Sequence, residues 1–277
     1  MTTRRLNRKP GKPNPNARCY AKLKKLSPAL TLPSAVDLRR YCSPIEDQGD
    51  EGSCTAHANA GVVEYLQLLE LTHKMSGPAA SLVFPGGIFC RVSRSMIYWN
   101  ERDIEGTTGQ DNGAMLGTGV QVVENIGVCR EVLWPYSDQT MYTKPVQQAY
   151  DEAAQHKVLF SYQLDNVLEM KHSLAEGYPF VFGVTCFDSF LSQTVAKDGV
   201  VPMPGMFESA QGGHALACVG YSDTMSAGGM TGFFLFRNSW GTGWGQSGYG
   251  WIPYAYMANP RIAEEFYTYR YEADPTL

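Results

Sequence analysis

One eight-residue stretch, Q-G-D-E-G-S-C-T at residues 48–55, places a cysteine where a turn gives way to a helix. Its glycines permit tight backbone, Ser53 is a residue type that caps helices, and apolar side chains then recur every three to four residues. This pattern predicts an amphipathic helix over residues 55–71 with Cys54 in its first turn. Because unpaired N–H groups and the helix dipole favour an anion there, we expect a lowered pKa and a reactive thiolate at Cys54.

A nucleophilic role for Cys54 needs a base, since an isolated cysteine is more often a small buried hydrophobe. The chain has five histidines. His214 follows two glycines and opens a short apolar run that predicts a buried strand. The others lie along or beyond the predicted helix, or among charged and amide residues where solvated side chains are expected: His57, His73, His156 and His172.

A second apolar run, residues 232–236, predicts the strand that pairs with the His214 strand. The residues between the two runs have turn composition, and with Ser226 at the centre of an antiparallel hairpin, position 214 faces position 238, which is Asn. An Asn oxygen can accept the imidazole N–H and leave the other ring nitrogen free for a thiol. The sequence thus predicts that Cys54, His214 and Asn238 come together.

Several segments resemble the papain-like cysteine peptidases, and together they span residues 32–265. They are L-P-S-A-V-D-L-R at 32–39, Q-G-x-x-G-S-C at 48–54, D-N-G-A-M at 111–115, W-P-Y at 134–136, G-G-H-A-L-A-C-V-G-Y at 212–221 and R-N-S-W-G-T-G-W-G-Q-S-G-Y-G-W at 237–251. The sequence has a helical first half and a strand-rich second half, which favours an α+β class. The resemblance implies a two-lobed papain-like fold, with the Cys on a helical lobe and the His and Asn on an antiparallel β-barrel-like lobe.

The same resemblance implies roles for individual residues. Cys54 matches the nucleophile, His214 the base and acid, and Asn238 the group that orients the His. Gln48, with the backbone N–H of Cys54, matches the donor to the oxyanion. The residues expected to bind substrate or to shield the site from water are Asn112, Gly113, Gly213 and Trp240. Further candidates for the pocket walls are Asp111, Phe187 and Ser189.

The chain departs from the family pattern at two positions beside the nucleophile. Glu51 and Thr55 stand where the family usually has Cys and Trp, so the usual disulfide before the nucleophile cannot form. The acidic Glu51 is expected to raise the pKa of the nearby thiol.

The seven cysteines show no metal-ligand spacing, so no metal site and no cofactor are expected, and Cys218 is predicted to be a core residue.

Charge divides the chain into a basic arm and an acidic body. Residues 1–31 carry nine basic and no acidic residues, which leaves 14 bases and 27 acids for the remainder. We expect residues 1–31 to be a propeptide-like arm lying across the cleft as an intramolecular inhibitor; the alternative is a solvated, disordered tail. The peptidase domain is then 32–277, with a helical lobe at 42–140 and a β lobe at 141–277 that includes 32–41.

The expected activity is hydrolysis of an extended polypeptide through an acyl-thioenzyme. There are two alternatives: a related acyl-transfer enzyme, such as an amidase or a transglutaminase-like protein, and a non-catalytic peptide-binding homologue.

The arm has a single aromatic residue, so no nucleic-acid partner is expected, and no apolar run approaches the length of a membrane span. A monomer is expected. The first thirty residues lack the apolar stretch of a secretory signal, which leaves the compartment open.

Overall fold

The two longest helices precede six of the seven strands in a computed structural model that describes residues 4–12, 17–23, 31–73 and 82–270. The helices are α1 (Tyr20–Leu23), α2 (Cys54–His73), α3 (Arg94–Ile104), α4 (Leu116–Gln121), α5 (Asp138–Met141), α6 (Gln147–Ala153), α7 (Val167–Ala175), α8 (Gln193–Asp198) and α9 (Tyr254–Met257). The strands are β1 (Ala35–Asp37), β2 (Phe160–Gln163), β3 (Phe180–Phe187), β4 (Ala210–Ala227), β5 (Met230–Arg237), β6 (Tyr249–Pro253) and β7 (Ala263–Arg270). This order confirms the predicted α+β class.

Helix α2 starts at Cys54 as predicted, but it is not amphipathic. Every residue from Cys54 to Gln67 is buried, because the helix packs against β3 and β4 on one side and against α3 and α4 on the other. The polar residues on this helix therefore need partners inside the protein. Glu64 has one in Arg94, whose two terminal nitrogens lie 2.7 and 2.8 Å from the carboxylate oxygens.

The strands form one sheet in the order β2-β7-β3-β4-β5-β6, with β1 beside β4 and every pair of neighbours antiparallel. Within the described chain the end strands β2 and β6 do not pair with each other, so the sheet is open and the expected barrel-like closure is wrong. Each end strand has another neighbour: Cys19 bridges to Gln163 on β2, and Val200 bridges to Trp251 on β6. At each of these bridges, the backbone groups on the outer edge of β2 or β6 already have a partner and cannot pair with the other end strand.

Strands β4 and β5 form the predicted hairpin, although in a different register. The turn lies at Gly228 and Gly229, both with positive φ, and β4 continues to Ala227 through residues predicted as loop. Irregularities between residues 218 and 220 and between 222 and 226 shift the pairing further. Arg237 consequently pairs with Ala217, two residues from the predicted partner.

Two histidines expected in solvent, His156 and His172, are buried. The His156 ring packs on Phe84 with the centroids 4.2 Å apart. The polar residues beside His156 in the sequence therefore do not predict the burial of its ring.

All seven cysteines lie in the described residues and are free thiols, and Cys218 is a core residue as predicted. Among the described helices, none combines the length and the apolar character needed to span a membrane.

Candidate active site

Cys54 is the first residue of α2 and is completely buried. The Ser53 hydroxyl, a predicted helix cap, lies 2.6 Å from the Tyr136 hydroxyl and 3.3 Å from Nδ1 of His57. Thr55, which replaces the family's aromatic residue, is buried too, and its hydroxyl donates to Glu101 at 2.6 Å. The start of the helix is thus fixed on both sides of the cysteine.

Burial is the main influence on Cys54 and raises its pKa to about 11. A hydrogen bond from the Ala215 backbone and the positive charge of Arg8 oppose this rise, whereas the Glu101 carboxyl adds to it. The lowered pKa expected from the helix position is therefore wrong for this arrangement of the chain. The helix terminus is present, but loss of solvent around the sulfur outweighs it.

His214 contacts Asn238 through its ring, with Nε2 2.9 Å from Oδ1. The hairpin register does not create this contact. Arg237 pairs with Ala217 on β4, so position 238 does not face position 214 in the observed register. Asn238 follows the end of β5, and its backbone N–H donates to the Gly248 carbonyl, which continues the pairing of β5 with β6. Nδ1 of His214 is buried with no hydrogen-bond partner among the described residues. Burial, with the charges of Arg8 and Arg4, lowers the His214 pKa to about 4 against the opposing effect of the Asn238 bond, so the ring is neutral near pH 7.

Trp240 covers the His214 ring. The two rings are stacked with centroids 4.7 Å apart and planes 23° apart, and Trp240 is itself buried among Phe190 and Trp244. The indole lies within two residues of Asn238 along the chain. It therefore excludes water from the side of the imidazole on which it stacks.

Gln48 is buried next to these residues and is held at both ends of its amide. Its Oε1 accepts from the Ser239 hydroxyl at 2.6 Å, and its Nε2 donates to the Glu51 carbonyl at 2.8 Å. The second bond uses one of the two amide hydrogens. Ser239 directly follows Asn238, so the amide is tied to the same turn that carries the His partner.

Residues 4–12 of the arm run through the groove over this site. Asn7 and Lys9 form parallel bridges to Gly213 and Met115, respectively, on opposite walls. The backbone N–H of Arg8 donates to Gly213 and that of Lys9 to Ala114, both at 3.0 Å. The arm is therefore an extra strand that joins the start of β4 to the segment before α4.

Two of the predicted substrate-binding glycines allow the arm to come this close. A Cβ at Gly113 would clash with the Asn7 carbonyl oxygen, and one at Gly213 would clash with the Arg8 carbonyl oxygen. Gly113 also has a φ of 68°, a conformation that favours glycine. Asn112 differs, because its side chain is exposed and donates to Gln110.

Ion pairs flank the arm on both sides of the groove. Arg8 has a buried side chain and contacts both Glu264 and Glu265, at 3.0 and 2.8 Å. The other pairs between the arm and the body join Arg4 to Asp47, Arg5 to Asp111, Lys9 to Glu105, and Arg18 to Glu124. The basic residues of the arm thus contact acidic residues of the body. Residues 13–16 and 24–30, which include further basic residues of the arm, lie outside the described part.

Sequence reasoning underrated Asp111, which was only a candidate wall residue. Its carboxylate accepts the Gly52 backbone N–H at 3.0 Å and the Tyr98 hydroxyl, and it also contacts Arg5. Asp111 therefore ties the loop before Cys54 to the segment that carries Gly113. Its position immediately before the matched Asn112 was the available signal. Of the other wall candidates, Phe187 ends β3 and Ser189 follows it, with its backbone N–H bonded to Glu208.

Comparison with known proteins agrees with this geometry. The family model for papain family cysteine proteases matches residues 32–269. An uncharacterized peptidase C1-like protein of Acanthamoeba polyphaga mimivirus is 34% identical over 257 residues, which cover 90% of this chain and 74% of the relative. Cathepsin K of Gallus gallus is 28% identical, and the match covers 86% of this chain but 63% of the cathepsin, less than two thirds of its length.

The solved structure of xylellain, a cysteine protease from Xylella fastidiosa, is similar over nearly its whole length. The TM-score is 0.79 at 31% identity, and the match covers 96% of this chain and 95% of that one. The matched region contains Cys54, His214 and Asn238, and the family model covers most of the chain. The chain belongs to the papain family of cysteine proteases.

Proposed function

We propose that Cys54, His214 and Asn238 hydrolyse peptide bonds as nucleophile, general base and orienting group. The observation that carries this assignment is the bond between Nε2 of His214 and Oδ1 of Asn238, which leaves Nδ1 buried without a described partner. The Ala215 backbone, next along the chain from His214, acts on the Cys54 thiol and lowers its pKa. The thiol therefore lies near the chain segment that carries the free ring nitrogen.

The reaction follows from these positions. The Cys54 proton passes to Nδ1 of His214, and the thiolate attacks the carbonyl carbon of the scissile bond. The C–N bond breaks as cationic His214 gives its proton to the leaving amine, and the acyl group stays on sulfur. Neutral His214 then takes a proton from water, whose oxygen attacks the thioester, and the carboxylic acid leaves while sulfur recovers its proton.

Gln48 is the proposed donor to the oxyanion, together with the backbone N–H of Cys54. Its amide is fixed by Ser239 and by the Glu51 carbonyl, and one Nε2 hydrogen is left for a ligand. A donor that is already in place needs no reorganisation as negative charge develops on the carbonyl oxygen. Loss of one such donor costs about two to three powers of ten in rate in comparable sites.

The groove occupied by residues 4–12 is the proposed site for an extended polypeptide substrate. Gly113 and Gly213 would let the substrate backbone approach as closely as the arm does, and Trp240 would keep water from the His214 ring. Asn112 would contribute through its backbone, since its amide is bonded to Gln110. In this assignment the helical lobe supplies the nucleophile and the β lobe supplies the base.

Residues 1–31 are the proposed inhibitory arm of a zymogen, and its two described parts differ in what they do. Residues 4–12 cover the site. Residues 17–23 dock elsewhere: Tyr20 is fully buried, its hydroxyl donates to Glu176 at 3.0 Å, and Arg270 lies over its ring. Inhibition should therefore depend on the first part, and Tyr20 should support the fold.

The test is removal of residues 1–12, which leaves Tyr20 in place. We expect hydrolysis of fluorogenic peptides to rise at least about 100-fold over the full chain, because the open site becomes the populated state. Cys54→Ala should abolish this activity, whereas Cys186→Ala, which alters a buried thiol whose charge would act on Cys54, should retain it. Product analysis with an added amine separates hydrolysis from acyl transfer. A folded, shortened chain that neither cleaves peptides nor reacts at Cys54 would refute the assignment.

A further inference from the structure

A second cavity lies beside the loop that precedes Cys54. It has a volume of about 550 Å³, and residues 47–51, Asp111 and residues 136–142 contribute to its walls. Its lining is acidic, with carboxyl groups from Asp47, Asp50, Glu51, Asp111 and Asp138. Among the described residues that line it, the cationic side chain is Arg5, which comes from the arm.

Glu51 faces this cavity without a partner. The residue is 5% exposed, and neither carboxylate oxygen has a hydrogen bond in the described chain. A buried carboxylate with no partner is costly, so it either holds a proton or awaits a cation. Burial raises the Glu51 pKa to about 7; the nearby Tyr136 hydroxyl opposes this rise, and Asp111 and Asp138 add to it. A cation entering the cavity would relieve the same cost.

The nearby buried cation, Arg102, is already engaged elsewhere. Its guanidinium donates to the backbone carbonyls of Thr108, Gln110 and Met141. It weakly opposes the rise in the Glu51 pKa, but within the described chain it makes no hydrogen bond or ion pair with Glu51 or Asp111. The acidic lining is therefore not neutralised from within the body of the protein.

The arm shows how a cation fits at this position. Arg5 forms an ion pair with Asp111, whose side chain is 3% exposed, while the Arg5 side chain is 49% exposed. The acid is thus a fixed part of the wall, and the base reaches it from solvent. When the arm leaves, Asp111 keeps its bonds to Gly52 and Tyr98 but loses its cationic partner.

We propose that this cavity is a substrate subsite for an arginine or lysine side chain, with Asp111 and Glu51 as its carboxylate partners. This subsite specifies which substrates the proposed peptidase would bind, and it therefore rests on the proposed function. Arginine is the better ligand, since its planar guanidinium can bond two carboxylate oxygens at once and can reach both acids. In the uncleaved chain Arg5 occupies the place of the substrate side chain.

The experiment uses the full chain with Arg5→Ala and Arg8→Ala, which empties the cavity and loosens the arm. Peptidyl chloromethyl ketones carry arginine, or its neutral isostere citrulline, at each of the three positions before the ketone. The rate of Cys54 labelling is measured for each pair by mass spectrometry. We expect one position to give an arginine-to-citrulline ratio of at least about 10, the discrimination expected of a buried ion pair.

Three further substitutions in this background locate the effect. Asp111→Asn should reduce the ratio to below about 3, and Glu51→Gln should reduce it by a smaller factor, because Asp111, the acid that pairs with Arg5 in the parent chain, remains. Glu264→Gln is the matched control. It removes an acid on the other side of the groove, which pairs with Arg8 in the parent chain, and should leave the ratio within about twofold. If Asp111→Asn does not fold, Glu51→Gln carries the test.

The outcomes separate this inference from the proposed function. Labelling of Cys54 at equal rates by the arginine and citrulline peptides at every position would overturn the subsite and leave the peptidase assignment standing. A preference unchanged by Asp111→Asn and by Glu51→Gln would also overturn it. If no peptide labels Cys54, the proposed function fails, and calorimetry with an arginine peptide decides the subsite: binding that Asp111→Asn abolishes supports it, and no binding contradicts it.

Discussion

One buried ion pair in the body of this protein and the ion pairs that hold the arm have similar chemistry and different settings. Arg94 and Glu64 meet between α3 and α2 with side chains that are 3% and 0% exposed, and Glu64 also accepts the Val92 backbone N–H. The pairs that hold the arm mostly have one partner in solvent, as in Arg4 with Asp47 and Arg5 with Asp111. The buried pair joins two helices of the body, whereas the others join the arm to the body.

Exposure to solvent determines which of these charges can separate. Breaking a buried pair leaves a charge without water, whereas a pair open to solvent exchanges its partner for water at small cost. Arg8 is intermediate, because its side chain is buried and its partners Glu264 and Glu265 are exposed to different extents. The arm is therefore attached by several weak contacts and one stronger one, which suits a segment that must leave an otherwise fixed site.

The largest effect should come from breaking the pair in the body. Arg94→Met leaves Glu64 buried and unpaired, and we expect a loss of about 3–5 kcal/mol in the free energy of unfolding. Urea denaturation of the full chain measures it. The double variant Arg94→Met with Glu64→Leu should recover most of the loss, since no charge is then buried. A single variant as stable as the parent would show that this pair does not differ from those of the arm.

A smaller effect is expected at Arg8, the strongest contact of the arm. Arg8→Ala removes the cation shared by Glu264 and Glu265, and Cys54 labelling by an epoxysuccinyl peptide should accelerate about 10- to 100-fold, the population shift that 1.4–2.8 kcal/mol produces. Arg8→Lys is the control. It keeps the positive charge, so its labelling rate should lie between those of the parent chain and Arg8→Ala. An unchanged labelling rate in Arg8→Ala would mean that the backbone bridges alone hold the arm.

The smallest effect belongs to Arg4, whose pair with Asp47 is open to solvent. Arg4→Ala should change the labelling rate by no more than about fivefold, because exposed pairs contribute about 0–1 kcal/mol. High salt should reproduce the change in the parent protein and have little further effect on the variant. A change as large as that of Arg8→Ala would erase the distinction between buried and exposed contacts in the arm.

The sequence predicted those parts of the site that depend on local pattern. The turn and helix around Cys54 and the paired apolar runs after His214 are local signals, and the structure has both elements. The register was wrong because β4 continues through polar residues to a turn at Gly228 and Gly229, beyond the apolar run that marked its predicted end.

Long-range burial explains the remaining differences. Cys54 is completely buried, so its pKa rises where helix position alone predicts a fall. Helix α2 is buried on every side because partners distant in sequence, such as Arg94 for Glu64, satisfy its polar groups. Likewise, the role of Asp111 depends on contacts with Gly52, Tyr98 and Arg5. Such contacts have no short-range signature in the chain.

We propose that the arm covers a site that is otherwise ready to react, and the pH dependence of Cys54 alkylation can show this. Iodoacetamide reacts with thiolates, and burial raises the Cys54 pKa to about 11 in the full chain. In the full chain the rate at Cys54 should therefore rise about tenfold per unit between about pH 6 and 9, since the thiolate fraction does so below the pKa. In the chain lacking residues 1–12, His214 can hold the proton, and the rate should be nearly constant over this range and at least about 100-fold higher at pH 7. A full chain whose Cys54 already reacts at that constant, high rate would contradict the account.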